Sequence, residues 1–503
     1  MKQDRDGRPH DKVEHLDVLI VGAGLSGIDA GYRLRTGSPG RRFAIFEGRE
    51  AIGGTWDLFR YPGIRSDSDM TTLGFPFRPW RGKRAIVEGG DIRDYIRDTA
   101  RIHGLDPHIR LRHRVVAADW SSVEARWTVD YDVAGRRERL TCNFLSFCAG
   151  YYDYAEGHAP TWPGMADFAG DVVHPQFWPD ELDIAGKRVV VVGSGATAVT
   201  LAPALVEKGA AHVTMLQRSP TYIVTVPGED RLAIALRRRL PAWLADPVVR
   251  WKNIAYGTYI YNFARRKPEK MKRMIATEQS RFLGPDFDMA HLTPRYEPWD
   301  QRLCLVPDGD MFKALKSGKA SIATDTIAQF TGQGLTLASG ATLPADVVVT
   351  ATGLKMQLNG GATLSIDGTL VDMGSRMLYK GAMLEGVPNF AFAIGYTNAS
   401  WTLKCDLTAR FVSKLLNHMA RRGYASVRPQ AAAGMRGAEP MLNLKSSYIE
   451  RAAATLPRQG LKAPWRVHQN YARDLFAFRT ARMSDGVLHF ERAPVNKKER
   501  AAA

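Results

Sequence analysis

The sequence predicts an α/β fold with two Rossmann-like nucleotide-binding units and a helical insertion, and three observations predict it. Near Asp17 and again near Lys187, an apolar β-branched run leads into a glycine-rich turn and then into small residues suited to a helix. A further strand-like run follows each unit, as the next strand of a parallel sheet would. Between Arg231 and Arg273 the chain turns basic and aromatic, with 12 basic residues against two acidic ones.

Composition sets the limits. A chain of 503 residues is long enough for two or three domains, and 45% hydrophobic with 24% charged residues is ordinary for a globular enzyme. That excludes a mainly disordered chain, a fibrous one and a small disulfide-stapled one. No run approaches the roughly 18–20 consecutive apolar residues of a membrane span. Met1 to Glu14 is polar and charged without an apolar core, so no secretory signal is expected. Cys142, Cys148, Cys304 and Cys405 form no CxxC pair and no metal-ligand spacing, which points to reduced thiols in a cytoplasm and to no metal. The formal net charge of +17 would attract nucleic acid, anionic lipid or a phosphorylated cofactor.

The first unit opens with a strand over Asp17–Val21, which runs into Gly22-Ala-Gly24-Leu-Ser26-Gly27. The second repeats this grammar in Arg188–Val192 followed by Gly193-Ser194-Gly195-Ala196-Thr197-Ala198. In each, the first glycine permits a tight turn and the second lets backbone approach a pyrophosphate. The third small residue lets the helix pack close to the strand, and helix N-terminal amides face the anion. One such motif is weak evidence; two, each between a strand and a helix, are strong. Phe43–Phe46 then ends in Glu47, 25 residues after Gly22, where an acid accepts hydrogen bonds from ribose hydroxyls. Val213–Leu216 leads to Arg218, also 25 residues after its leading glycine, where a guanidinium can hold a 2′-phosphate. The alternative for Arg218 is an ordinary surface arginine. Together the units read as FAD first and NADPH second.

Phe144–Phe147 closes on Cys148-Ala149-Gly150, and Asp346–Thr350 closes on Ala351-Thr352-Gly353. Both read as strands ending in turns that pass close to a nucleotide or cross between domains. Pro388–Gly395 reads as a buried strand returning to the first domain. The expected layout is an FAD domain over 13–155, an NADPH domain over 156–380 with a basic helical insertion over 222–295, the remaining FAD domain over 381–495, and a disordered tail over 496–503. A helix is expected over Ala409–Arg422 and a flexible connector over Gln430–Met435.

Within the insertion, Trp243, Trp251, Tyr256, Tyr259, Tyr261 and Phe263 interleave with the basic residues. One reading is an amphipathic surface in weak peripheral contact with anionic membrane. The simpler reading packs the aromatics inward and leaves the arginines to water. Nucleic-acid modules with readable signatures are absent, so no nucleic-acid partner is expected. His103, His108 and His113, set among arginines, read as a solvated face rather than a metal site. Walker A, HExxH and GxSxG sequences are absent, which removes the usual support for phosphotransfer, zinc proteolysis and serine hydrolysis.

Between the two glycine turns lies Phe168-Ala-Gly170-Asp-Val-Val-His174-Pro-Gln-Phe-Trp178-Pro179. These identities at fixed spacing, flanked by two nucleotide units in the right order, resemble the signature of type I Baeyer–Villiger monooxygenases, which are class B flavoprotein monooxygenases. Gly53-Gly54-Thr55-Trp56, Arg60–Asp67 and Pro298–Arg302 match the same family. Leu216–Tyr222 and Gly395–Trp401 look like its ethionamide-activating branch. Trp465–Asn470 resembles the control loop that folds over NADPH in the wider family, although the intervening residues differ. The resemblance runs from about Leu16 to about Arg492.

The resemblance implies an FAD-containing, NADPH- and O2-dependent oxidoreductase that converts ketones to esters or lactones through a C4a-peroxyflavin and also oxidises sulfides. Small ketones, aldehydes and sulfides are its implied substrates. It assigns to Arg302 the fixed cation that keeps the peroxide anionic, and to Asp67 the carboxylate that pairs with it. Neither assignment follows from spacing, because 235 residues separate the two. Implied flavin contacts are Gly22, Gly24, Ser26, Gly27, Glu47, Thr55, Trp56, Asp57, Leu58, Asp67 and Val115. Implied NADPH contacts are Arg65, Ser66, Asp67, Gly193, Ser194, Gly195, Ala196, Thr197, Ala198, Arg218, Ser219 and Gln301. Phe168, Gly170, His174 and Trp178 are implied at a hinge, with His174 coordinating domain movement rather than proton transfer. The alternative is a flavin-containing heteroatom oxygenase acting on sulfur or nitrogen. A third reading, a membrane- or nucleic-acid-binding protein with idle nucleotide folds, stands against two intact glycine turns.

Overall fold

The computed structural model describes residues 13–435, 437, 439–442 and 446–492, so the tail expected over 496–503 lies outside the described residues. Strand β1 (Glu14–Val21) carries a nearly unbroken apolar run that is buried from Val18 to Val21, as a central parallel strand requires. It leads into helix α1 (Leu25–Gly37), and β2 (Phe43–Phe46) returns parallel to β1 with Val18 opposite Phe43. On the other side of β1 the strand Arg136–Phe147 also pairs parallel. Antiparallel strands Arg114–Ser121 and Arg126–Val133 extend this first sheet, and Phe390–Phe392 joins it beside Arg136–Phe147.

The second unit rebuilds the same plan in β3 (Arg188–Val192), α2 (Ala196–Glu207) and β4 (His212–Gln217). β3 lies between β4 and the strand Val347–Thr350, all parallel. The signature segment supplies the edge of this sheet: Asp171–Val173 pairs parallel with Val347–Val349. Gly170 is required there because a Cβ would sit 2.2 Å from the Asp346 carbonyl oxygen. Phe168 is buried edge-on to Phe330, their centroids 5.9 Å apart.

The chain crosses between the sheets twice, and the crossings pair with each other. Tyr152–Gly157 on the way out runs antiparallel to Leu354–Met356 on the way back. The chain is back in the first sheet at Thr363–Ile366, which pairs parallel with Ala117–Trp120. The return expected at 381 therefore comes early: Thr363–Leu370 belongs to the first sheet. This short edge strand has neither a long apolar run nor a glycine turn, so its sequence carries no signal of the return.

The insertion leaves and rejoins the body through two paired strands, Ile223–Val226 and Cys304–Pro307. Between them lie α3 (Arg231–Arg239), α4 (Ala242–Arg266) and α5 (Pro268–Leu283). The simpler reading of its aromatics needs correcting. Trp243, Tyr256 and Tyr259 are 77%, 66% and 63% exposed and Trp251 is 45% exposed, whereas Tyr261 meets Trp299 and Phe263 packs inward.

Helix α6 (Trp401–Arg422) lies along α1 and starts eight residues before the expected Ala409. Its first turns contain Lys404 and Asp406, which look like surface residues in sequence but are both 2% exposed. Each is neutralised in place: Asp406 by Arg33 at 2.6 Å, and Lys404 by Asp474 of α7 (Tyr471–Arg479) at 2.7 Å. Residues 430–435 belong to no helix or strand. No helix among the described residues is long and apolar enough to cross a membrane.

Candidate active site

The two glycine turns are built alike. Gly22 and Gly193 have φ of 101° and 140°, in the region that favours glycine. A Cβ on Gly22 would lie 2.6 Å from the Cys148 carbonyl oxygen, and one on Gly193 would lie 2.3 Å from that of Ala351. The small-small-Gly turns that close the neighbouring strands thus press against the leading glycines. Space near each turn is left open for a ligand. A single cavity of about 2500 Å³ touches Gly22, Gly24 and Glu47 of the first unit and Gly193, Gly195 and Arg218 of the second. That is well above the roughly 300–1,000 Å³ of an ordinary small-molecule pocket.

Glu47 is 6% exposed, and its carboxylate accepts from the amides of Ala23 at 2.8 Å and Arg49 at 3.0 Å. Burial pushes its pKa up, while those two bonds pull the other way. Arg218, at the end of β4, is exposed to the cavity and makes no ion pair among the described residues. A buried acid beside one pyrophosphate turn and a free guanidinium beside the other fit FAD in the first unit and NADPH in the second.

Where the units meet, folding closes the 235-residue gap in sequence. Arg302 Nη1 reaches Asp67 Oδ2 at 3.2 Å. Its Nε and Nη2 donate to the carbonyls of Thr397 and Tyr396 at 3.1 and 3.3 Å. The guanidinium is thereby oriented from three sides while a third of its side chain stays open, and both it and Asp67 line the cavity. The approach to Arg302 is strained: Trp299 has φ 71°, unusual for a bulky residue. The carbonyl seat is itself propped. Gln469 accepts from the amide and hydroxyl of Thr397 at 3.0 and 3.1 Å. The Tyr396 hydroxyl donates to Asp474 at 2.8 Å, the carboxylate that also holds buried Lys404.

An aromatic wall faces this arginine. The hydroxyls of Tyr151 and Tyr152 share a 2.6 Å hydrogen bond, and Tyr151 stacks on Trp401 at 4.8 Å. Trp401 donates to Ser26 at 3.0 Å, tying the wall to the first turn. Burial raises the pKa of Tyr151 despite the opposing charge of Arg302, so the phenol stays neutral. Tyr151, Tyr152, Trp401 and Gln469 all line the cavity, yet none was singled out from the sequence. The available signals were their neighbours: two follow the Cys148–Gly150 turn, one ends the Gly395–Trp401 segment, and one lies within Trp465–Asn470.

Of the residues expected around the flavin, Gly22, Gly24, Ser26, Glu47, Thr55, Trp56, Asp67 and Val115 line the cavity. Gly27, Asp57 and Leu58 do not. A Cβ on Gly27 would lie 1.8 Å from the Gly22 carbonyl oxygen, so this glycine serves helix packing. Asp57 is a buried ion-pair centre, 2.8 Å from Arg49 and 2.9 Å from Arg97, and Leu58 packs into the second unit's core. Of those expected around NADPH, Arg65, Asp67, Gly193, Ser194, Gly195, Ala196, Thr197, Arg218, Ser219 and Gln301 line the cavity. Arg65 is also paired with Asp310. Ser66 is turned inward, accepting from the Val87 amide at 3.1 Å, and Ala198 is fully buried in the core. Phe168, Gly170, His174 and Trp178 stand off the cavity. His174 accepts from the Gln176 amide at 3.2 Å and packs on Gly157 of the crossing ribbon.

Comparison with known proteins gives the family and the fold. Residues 74–245 match the flavin-binding monooxygenase-like family, and residues 20–81 match an NAD(P)-binding Rossmann-like domain. The chain is 51% identical over 482 residues to the FAD-containing monooxygenase EthA of Mycobacterium tuberculosis, covering 96% of this chain and 99% of that one. Its fold is similar to that of an oxidized steroid monooxygenase bound to NADP, with TM-score 0.74, 20% identity, and coverage of 95% of this chain and 100% of that one. An open crystal structure of cyclohexanone monooxygenase gives TM-score 0.73 at 20% identity, with the same coverage.

Proposed function

The chain belongs to the FAD-containing monooxygenases, and from that premise we propose that it is an NADPH-dependent oxygenase of the Baeyer–Villiger type, inserting oxygen beside the carbonyl of small ketones and aldehydes and also oxidising sulfides. The observation that carries this reading is Arg302, a permanent cation held by Asp67 and two carbonyls where the nucleotide units meet. Gly22, Gly24, Ser26, Glu47 and Trp56 would hold FAD, and Gly193 to Thr197 with Arg218 and Ser219 would hold NADPH. When bound, the flavin accepts hydride from NADPH and activates O2. Arg302 stabilises negative charge developing on oxygen, and it needs no reorientation because its seat is built beforehand. Neutral Tyr151 and Tyr152 close the site on one side and keep water out. His174 and the crossing ribbon serve as the joint between the units.

A cytoplasmic location goes with this reading, supported by four buried cysteines that form no disulfide. So does weak peripheral contact with anionic membrane through the basic insertion. The test is product analysis with a ketone and a thioether offered together under NADPH and air. Ester or lactone alongside sulfoxide is expected. Sulfoxide alone, with the ketone untouched, would replace the proposal with a heteroatom oxygenase.

A further inference from the structure

Helix α4 is apolar on two faces, and only one is accounted for. At about 100° per residue, Trp243, Leu244, Pro247, Val248, Trp251 and Tyr259 fall within about 160° of its circumference. All six are exposed. On the opposite side Asn253, Tyr256, Ile260 and Phe263 line the cavity. A helix apolar nearly all round is normally buried all round. Here the outer face is covered only where Trp251 meets Tyr471 of α7, their rings 5.7 Å apart, and an exposed apolar face of this kind marks an interaction surface. The flanking charge indicates the partner. Arg238, Arg239, Arg266, Lys267 and Lys270 are exposed and make no ion pair among the described residues. A second copy presenting the same strongly basic face would be repelled, whereas an anionic bilayer would receive both the aromatics and the cations.

We propose that the outer face of α4 docks the enzyme on anionic membrane, and that the cavity opens toward the lipid there. Tyr256 lies about 60° round the helix from Tyr259, at the margin of that face. It is 66% exposed and lines the cavity, as does Met274 of α5, 58% exposed, so the cavity reaches the surface at the edge of the docking face. α4 is then a wall with lipid outside and the reaction cavity inside, and an apolar substrate can pass from bilayer to cavity around one helix. Docking itself rests on the surface alone; that the entering molecule is a substrate rests on the oxygenase reading.

The test sediments the holoenzyme with vesicles of phosphatidylcholine, with and without phosphatidylglycerol, at low and high salt. Binding to the anionic vesicles at low salt, release at high salt and a blue shift of tryptophan emission are expected. Replacing Trp243 and Val248 together by Ser should weaken binding by at least about 10-fold. Replacing Arg238 and Arg239 by Gln should weaken it roughly 10- to 30-fold. Both variants should turn over a water-soluble ketone normally, which shows that the fold and the chemistry are intact. Wild-type enzyme left in the supernatant with anionic vesicles at low salt would overturn docking, as would undiminished binding of both variants. A vesicle-free dimer that shields Trp243 from a soluble quencher would assign the face to a second copy and overturn the lipid. Turnover of a ketone dissolved in the bilayer should rise with the fraction of enzyme bound; no such rise would overturn the opening. Vesicle binding with no oxygenation of any ketone would strike the functional reading and leave docking standing.

Discussion

In the first nucleotide unit the residue 25 positions after the leading glycine is Glu47, buried and already accepting from two backbone amides. In the second it is Arg218, exposed and unpaired among the described residues. The third small position differs as well. Gly27 has no room for a methyl group against the Gly22 carbonyl, whereas Ala198 fills its place in the core. The first unit is thus a closed seat with its polar contacts organised in advance. The second is an open one, its guanidinium exposed to the cavity and in no ion pair among the described residues. That contrast suits a cofactor that stays and a cosubstrate that exchanges on every turnover.

The largest effect is expected where the units meet. Arg302→Ala should lower ketone oxygenation by about 100-fold or more, the cost of losing a preorganised charge contact. Reduction of the bound flavin by NADPH should survive, because the hydride comes from the nicotinamide. Stopped-flow reduction followed by reoxidation, with product measured in parallel, separates the halves; near-normal product would remove Arg302 from the mechanism. Asp67→Ala should lean the same way more mildly.

Breaking the open seat comes next. Arg218→Ala should erode the preference for NADPH over NADH by about 10- to 150-fold in kcat/KM, the worth of roughly 1.5–3 kcal/mol for a charge-assisted phosphate contact. Equal use of both cofactors by the unaltered enzyme would show that the guanidinium does not discriminate. Glu47 should be indifferent to this change, so flavin content should stay constant.

The third positions sharpen the comparison further. Gly27→Ala forces a Cβ against backbone and should cost on the order of 1–3 kcal/mol, seen as flavin loss and a lower Tm. Ala198→Gly should cost about 1 kcal/mol with flavin retained. Equal losses in both variants would mean that the two helices are seated alike after all.

The smallest effect belongs to the joint. Burial holds the pKa of His174 below its usual 6.5. As the pH falls through that value, the unfolded chain takes up the proton first, so stability present above pH 6.5 declines on the acid side. Tm measured from pH 7.5 to 5 should fall less steeply for His174→Gln than for the unaltered protein; parallel curves would show that His174 does not contribute to the decline.

Much of this contrast was readable in the sequence because it is local. Strand, turn, helix and the residue 25 positions on all lie within one unit, and Glu47 and Arg218 both occupy the places their register predicted. Pairing at a distance was not readable from spacing: only the family resemblance joined Arg302 to Asp67, and nothing pointed to Gln469 propping Thr397. Residue type did not reveal burial either. Asp57, a flavin contact by the resemblance, is a buried ion-pair centre, and the charged residues Lys404 and Asp406 are core. In each case the deciding partner lies on another element. The aromatics of α4 failed for a related reason, since periodicity reveals an apolar face but not what covers it.

The propping of Tyr396 and Thr397 has a consequence for synthesis. A chain emerging in order from its N-terminus completes both glycine turns, and Arg302 itself, well before Gln469 and Asp474 appear. The nascent protein could fold its nucleotide seats early, while the carbonyls that aim the guanidinium still lack support. A product broken off before Gln469 would be expected to consume reductant without delivering oxygen to substrate. On the proposed role of Arg302, completion of α7 would then be a final assembly step, bringing the oxidising chemistry under control only when the chain that contains it is nearly finished.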